Sequence, residues 1–247
     1  MLLPEWTTPN IIIYSFLSIL ALGVGPAEYF GQAMMFYSKF RTVSGIPPRL
    51  GMFVLYFAPI VALYFSARDY LPNASLIQWL VLASVFVHFA KRVLESLFLH
   101  RYSGPVGTFT TILIASFYSL AAYFIGWLNR SPIPAMDLWF LLGIVLFLVG
   151  IAGNFYHHKL LADLRKNSLD YFIPKGAWFE YVVCPHYLFE IITWTGIFLL
   201  SRHLAALLIL LFIIGYLTAR SIRTLKWYHD RFPGFPKDRK AILPFIL

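Results

Sequence analysis

The sequence holds a single cysteine, Cys184, in 247 residues, which excludes a disulfide framework within the chain. Charge is scarce as well. Asp, Glu, Lys and Arg make up 13% of residues, against about 25% in soluble domains. Acidic residues are the rarer kind, 11 against 20 basic ones. No Walker loop, GxGxxG, GxSxG or zinc-type spacing occurs, so neither P-loop, Rossmann, serine-hydrolase nor zinc-finger chemistry is indicated. Repeats, low-complexity tracts and linkers are missing too, and residues 1–247 read as one domain. Pro4 and Glu5 precede the first apolar run without a basic stretch, so no cleavable signal peptide is expected.

What the chain has in quantity is apolar surface: 60% of residues are hydrophobic and 19% aromatic. Apolar runs occupy Ile11–Gln32, Leu50–Ser66, Leu76–Leu99, Val106–Trp127, Met136–Gly153, Trp178–Leu200 and Leu204–Thr218. A membrane-crossing helix needs about 20 such residues. The pattern predicts an all-α membrane protein, a bundle of seven transmembrane helices. The shorter runs, the second, fifth and last, are expected to extend past these limits or sit off the midplane.

A net charge of +9 would suggest nucleic acid in a soluble protein. Here basic residues gather on one side of the runs, as cytosolic loops do, and no nucleic acid is expected. That side holds Lys39, Arg41 and Arg49, then Lys91, Arg92 and Arg101, then Lys159, Arg165, Lys166 and Lys175. It also holds the basic tail from Arg220 through Arg239 to Lys240. The other side has Arg68, Arg130 and Arg202. The predicted N-terminus is therefore lumenal and the C-terminus cytosolic. The aromatic tail is expected to fold back on the bundle or lie in the interface.

Polar groups inside apolar runs are costly unless paired or lining a wet cavity. They crowd between Asn154 and Glu190 and again at the end of the third run. His88, Lys91, Arg92 and Glu95 recur at helical spacing. Lys91 and Glu95 form an i,i+4 pair that is either an intramembrane salt bridge or part of a ligand-facing stripe. Asn154 follows Gly150 and Gly153, which suit close helix packing or close approach of a ligand. Asp163, Arg165 and Lys166 fit a solvated face, with Arg165 the better phosphate fork. Pro174 and Gly176 mark a turn. His157 and His158 are adjacent, so their rings diverge on a helix and a metal would need distant partners. His186, Tyr187 and Glu190 share one helical face, and a phenol so placed can donate to a carbonyl oxygen as charge grows there. Cations from several helix ends on one side suit a multiply anionic ligand such as a phosphate ester.

Four segments carry a resemblance to a known family: HFAKRVLESLFLHRYSG (His88–Gly104), GNFYHHKLLADLR (Gly153–Arg165), IPKGAWFEYVVCPHYLFEIITW (Ile173–Trp194) and WYHDRFPGFPKDRKAILPFIL (Trp227–Leu247). The chain resembles the steroid 5α-reductase / very-long-chain enoyl-CoA reductase / polyprenol reductase superfamily, with the steroid-reductase-like region at about residues 100–247. The resemblance implies seven membrane helices, the endoplasmic reticulum, NADPH bound from the cytosolic side and reduction of an activated carbon–carbon double bond. It implies cofactor contacts from Arg92, His100, Arg101, Asn154, Arg165, Tyr171, His186, Glu190, Arg220, Tyr228 and Arg239. Tyr187 becomes the expected catalytic donor, helped by Lys91. Expected partners are a lipid substrate, the bilayer and other lipid-synthesis enzymes in a complex.

Departures from the family guide the substrate. His186 stands where many members have Asn, and His158 where steroid reductases have Asp. Phe89 replaces a Tyr, and Leu55, Tyr56 and Phe57 precede Pro59 where steroid enzymes place a Glu. The pattern around Lys91-Arg92 and His100-Arg101 looks like the enoyl-CoA reductases, so a trans-2-enoyl-CoA of fatty-acid elongation is the leading expectation. A steroid or terpenoid enone, polarised through Tyr56 or Glu28, is the alternative. A polyprenol and a non-catalytic NADPH-binding role stay open beside it.

Overall fold

A computed structural model describes residues 1–31, 45–167 and 170–247. Lys39 and Arg41, assigned above to the first basic loop, lie outside the described residues. Within them the chain forms seven α-helices and no strand. The helices are α1 (Thr8–Phe30), α2 (Pro48–Ala67), α3 (Leu76–Leu94), α4 (Thr108–Leu128), α5 (Leu138–Asp163), α6 (Pro185–Ser201) and α7 (Leu204–Arg231). A π-helical turn, Glu95–Leu99, extends α3.

Local chemistry sets several of these limits. Ser75 and Gln78 close a reciprocal capping box at the start of α3, with bonds of 3.3 and 2.8 Å. Asp137 caps α5 by accepting from the Phe140 N–H at 3.0 Å. The turn expected at Pro174 and Gly176 is present, and Gly176 holds φ +87°, where a side chain would be strained.

Six helices are long and apolar enough to cross a membrane, all but α6. The sixth apolar run departs from the expectation. It does not form one helix from Trp178. Ala177–Glu180 make a short 3₁₀ turn, Cys184 is extended away from helix at φ −129°, ψ 56°, and α6 starts at Pro185 with 17 residues. The cause is Pro185, whose ring pushes the preceding residue out of the helical region. The fifth and last runs, in contrast, continue as helix. At 1.5 Å per residue, the 26 residues of α5 and 28 of α7 reach roughly 40 Å, longer than a hydrocarbon core of about 30 Å. Both helices therefore carry polar residues beyond one edge of the apolar band.

Packing sorts the helices. α5 lies close against α6, and a Cβ on Gly150 would meet Thr193 N at 2.4 Å. Gly153 receives the Phe189 ring in the same seam, so these glycines serve helix packing rather than ligand approach. α1 stands outermost and exposes Ile12, Phe16, Ile19, Leu22 and Phe30, a face suited to lipid. It touches α7 where Gly25 meets Gly215 and where buried Glu28 pairs with Arg220 at 2.9 Å and Arg223 at 3.2 Å. After α7 the tail folds back on the bundle. Lys240 N donates to Tyr181 O at 2.8 Å, Val183 N to Lys240 O at 2.9 Å and Cys184 N to Ala241 O at 3.2 Å.

Candidate functional site

These elements enclose one chamber of about 280 Å³ at a bundle end. Helices α2 to α7 all contribute to its walls, together with segments 100–106 and 171–184. Arg92, His100 and Arg101 line it from the α3 side, Asn154 and Arg165 from α5 and just beyond. Tyr171, His186, Tyr187 and Glu190 line it from the loop and α6, and Arg220 and Tyr228 from α7. Two expected site residues stand behind the lining. Lys91 bonds Asn154 and lies 3.1 Å from Glu95. Arg239 donates to Pro174 O at 2.8 Å and stacks on Phe235, so it braces the loop that walls the chamber.

Two polar relays organise the walls. In the first, Asn154 accepts from Lys91 and donates to His186 O at 2.8 Å and Glu190 Oε2 at 3.1 Å. Glu190 Oε1 then takes Trp194 Nε1 at 3.2 Å and faces His88 Nε2 at 3.3 Å. In the second, Arg92 Nη1 bonds Glu95 Oε2 at 2.5 Å and lies 2.7 Å from His158 Nδ1, while Nη2 donates to Tyr56 Oη at 2.5 Å. The pairing of Lys91 with Glu95 expected from spacing is present, and so is the divergence of the two adjacent histidines. His157 turns away to Gly153 O at 2.7 Å and stacks on Phe189. Each carboxylate is buried against cations or donors, the arrangement a low-dielectric interior demands.

Glu95, His100 and His158 bring metal-ligand atoms within 4.8 Å of one another. Arg92 already bonds Glu95 and His158 there, and Lys91 adds a second cation. A divalent ion would meet two positive charges at contact range, so the cluster reads as an ion-pair network.

The outer mouth is more open. Arg165 donates to Arg101 O at 3.2 Å and lies 4.4 Å above the Tyr171 ring, and Tyr171 Oη is 3.3 Å from Ser103. Burial holds the His100 imidazole well below its ordinary range, with His158 and Arg92 pushing the same way. His100 is therefore neutral at neutral pH. Burial pushes the Tyr102 phenol up, so it too stays protonated. Fixed forks with neutral donors beside them suit a ligand carrying several phosphate oxygens.

The chamber adjoins an apolar annex of about 60 Å³. Ile114, Phe117, Trp194, Phe212 and Ile213 form its walls. Tyr56, Tyr118, Glu190 and Tyr216 line both spaces and mark the junction. Phe117 and Phe212 stack at 3.9 Å on the annex side. Glu28, one of the two polarising groups considered for an enone, is held between α1 and α7 instead and does not line the chamber. Tyr118, Tyr216 and Thr224 were not singled out from the sequence. A signal existed, because Tyr216, Arg220, Thr224 and Tyr228 recur every fourth residue and form one buried stripe of α7.

Fold and chamber define a multi-pass membrane protein with a cation-lined pocket that narrows into an apolar one. Residues 107–247 match the sequence model of the 3-oxo-5-alpha-steroid 4-dehydrogenase family. The 3-oxo-5-alpha-steroid 4-dehydrogenase 1 of Rattus norvegicus is 34% identical over 184 residues, covering 72% of this chain and 69% of the relative. That of Bos taurus is 32% identical over 186 residues, covering 71% and 72%. The very-long-chain enoyl-CoA reductase of Dictyostelium discoideum is 29% identical over 180 residues, covering 70% of this chain and 59% of the relative. The chain belongs to the steroid 5α-reductase superfamily.

Proposed function

We propose that this protein is an NADPH-dependent reductase of a conjugated carbon–carbon double bond in a membrane lipid, with a trans-2-enoyl-CoA as the leading substrate. The observation that carries this reading is a cationic mouth that shares wall residues with an apolar annex. Such an arrangement sets a surface suited to phosphate beside one suited to an apolar group. We further propose that α6 is a seventh span, since 17 residues sit at the lower limit of about 17–25 for crossing a bilayer. The chamber would then face the cytosol, the N-terminus the lumen, and the membrane would be that of the endoplasmic reticulum. Association with other lipid-synthesis enzymes belongs to the same proposal.

The donor set fits NADPH. Arg101 and Arg165 supply cations around the mouth, with Arg220, paired to Glu28, lining it from α7, and planar guanidinium forks match phosphate oxygens. Arg92 is held by Glu95, His158 and Tyr56, so its role is to shape the wall and its field rather than to reach outward. When bound, NADPH supplies the hydride. The protein's own part is to orient the lipid, exclude water and stabilise the oxygen that gains charge. Tyr187 hydrogen-bonds that oxygen as an enolate forms, and protonation at the α-carbon completes the saturated product. Lys91 acts one step removed: it holds Asn154, which in turn holds Glu190 and the His186 carbonyl on α6.

A steroid or terpenoid enone is the second reading, supported by the names of the mammalian relatives. Purified protein in lipid nanodiscs, given NADPH and either a long-chain trans-2-enoyl-CoA or an enone steroid, tests both. Saturated product and NADPH loss are expected with one of them, and oxidation with neither overturns the proposal. Tyr187→Phe is expected to lower turnover by about 10²-fold, and near-normal turnover removes Tyr187 from the role.

A further inference from the structure

We infer that Trp194, on α6, is a positioning residue: its indole N–H fixes the carboxylate of Glu190 at the junction of mouth and annex. The inference rests on the reductase reading above and concerns a residue that lines the annex but not the mouth. Among the described residues Glu190 is the one acidic side chain that lines either space, and it lines both. Buried Glu28 and Glu95 are each bonded by an arginine. Glu190 is held differently. Asn154 Nδ2 donates to Oε2 at 3.1 Å and Trp194 Nε1 to Oε1 at 3.2 Å, with His88 Nε2 3.3 Å from Oε1. Both bonded donors are neutral, so the direction of their N–H bonds, rather than contact with a cation, orients the carboxylate.

The indole is itself fixed. It is 2% exposed and lies one helical turn from Glu190, the spacing at which side chains on one helix meet. From α3 the rings of His88 and Phe89 meet it edge-on at 5.2 and 6.1 Å. As a wall of the annex the residue needs only the bulk of a ring, which Phe117 and Phe212 supply elsewhere in that wall. The N–H has a separate task. An indole donates one hydrogen bond and accepts none, and that bond goes to Glu190. A carboxylate offers about four acceptor sites, so Glu190 keeps capacity for an N–H or O–H of a ligand at the junction. In the reductase reading the arginines of the mouth hold the phosphates, and Glu190 stands where the reacting end of the cofactor meets the lipid. Trp194 then sets that acceptor in place before the ligand arrives, which removes the reorganisation otherwise needed on binding.

The test separates the donor from the wall. Trp194→Phe keeps an aromatic ring and removes the N–H. A second protein carries 3-benzothienylalanine in place of Trp194, which has the shape of the indole with sulfur where the N–H was. Two ligands are titrated into each full-length protein by calorimetry: NADPH, and 2′,5′-ADP, which carries the adenosine phosphates without the reacting end. Both altered proteins are expected to bind NADPH about 10-fold more weakly and 2′,5′-ADP within about 3-fold of wild type. Where wild type binds NADPH, equal loss for the two ligands, or loss for neither, overturns the inference. A readout free of cofactor is the indole N–H resonance of Trp194 in proton NMR, assigned by its absence from Trp194→Phe. Glu190→Gln is expected to move it, and a resonance that stays in place overturns the inference as well. If Glu190→Gln moves the resonance but wild type binds no NADPH, the positioning of Glu190 stands and the reductase reading falls.

Discussion

Glu95 is the residue whose loss the structure prices most directly. Its carboxylate is 2% exposed and faces Arg92 at 2.5 Å, His158 at 3.0 Å and Lys91 at 3.1 Å. Glu95→Gln keeps the shape and removes the charge, leaving two buried cations without their common anion. Breaking a buried pair in this way costs about 3–5 kcal/mol, and the retained amide oxygen argues for the lower end, about 3 kcal/mol. For a chain of this size that is a fall in Tm of roughly 6–12 °C, read by thermal unfolding of the purified protein in detergent. The decisive companion is the triple variant Lys91→Met, Arg92→Met, Glu95→Leu. Replacing the whole ion cluster by apolar residues removes both the desolvation penalty and the attraction, so stability is expected to return to within about 2 kcal/mol of wild type. Reductase activity is expected to be lost in the triple variant even so, because Asn154 and Tyr56 lose the cations that hold them. A Glu95→Gln protein that melts within about 2 °C of wild type refutes the claim that these charges are interdependent.

Two further outcomes are expected. Burial depresses the imidazoles of His100 and His203, so the folded chain resists protonation that the unfolded chain accepts below a pKa of about 6.5. The unfolded state then binds more protons, and stability falls as pH drops below that value, by up to about 1.4 kcal/mol per unit for each group. Unfolding scans between pH 7 and pH 5 check this, and His100→Asn with His203→Asn is expected to lessen the slope. Deleting residues 240–247 removes the backbone bonds that tie the tail to Tyr181, Val183 and Cys184. NADPH affinity, followed by fluorescence titration, is expected to fall about 10-fold or more, since each such bond contributes about 1 kcal/mol, and unchanged affinity shows that the loop holds itself.

Much of the fold was readable because burial in lipid demands long apolar runs, and among the described residues each of the seven runs holds one α-helix, the sixth only from Pro185. Their limits were harder. Hydropathy falls after Gly153 and Thr218, yet α5 continues to Asp163 and α7 to Arg231, because a helix leaving the apolar layer keeps its backbone bonds while its side chains turn polar. The reverse error occurred at Trp178. Composition stayed apolar there while Pro185 cut the helix. Within the site, side chains sharing one helix were legible from spacing, as with Lys91 and Glu95 or Tyr187 and Glu190. Which helices would face each other was not. That Arg92 reaches back to Tyr56 on α2 and that Lys91 meets Asn154 across 63 residues are facts of packing, which no local pattern encodes.

The clasp between α1 and α7 bears on how the protein is made. Glu28 is synthesised 192 residues ahead of Arg220, its buried partner. During translation Glu28 therefore exists before the arginine that it pairs with in the finished fold. The contacts that seat the first helix against the seventh can form only once the seventh has been made. Any substitution that neutralises Glu28 removes the anion that Arg220 and Arg223 share.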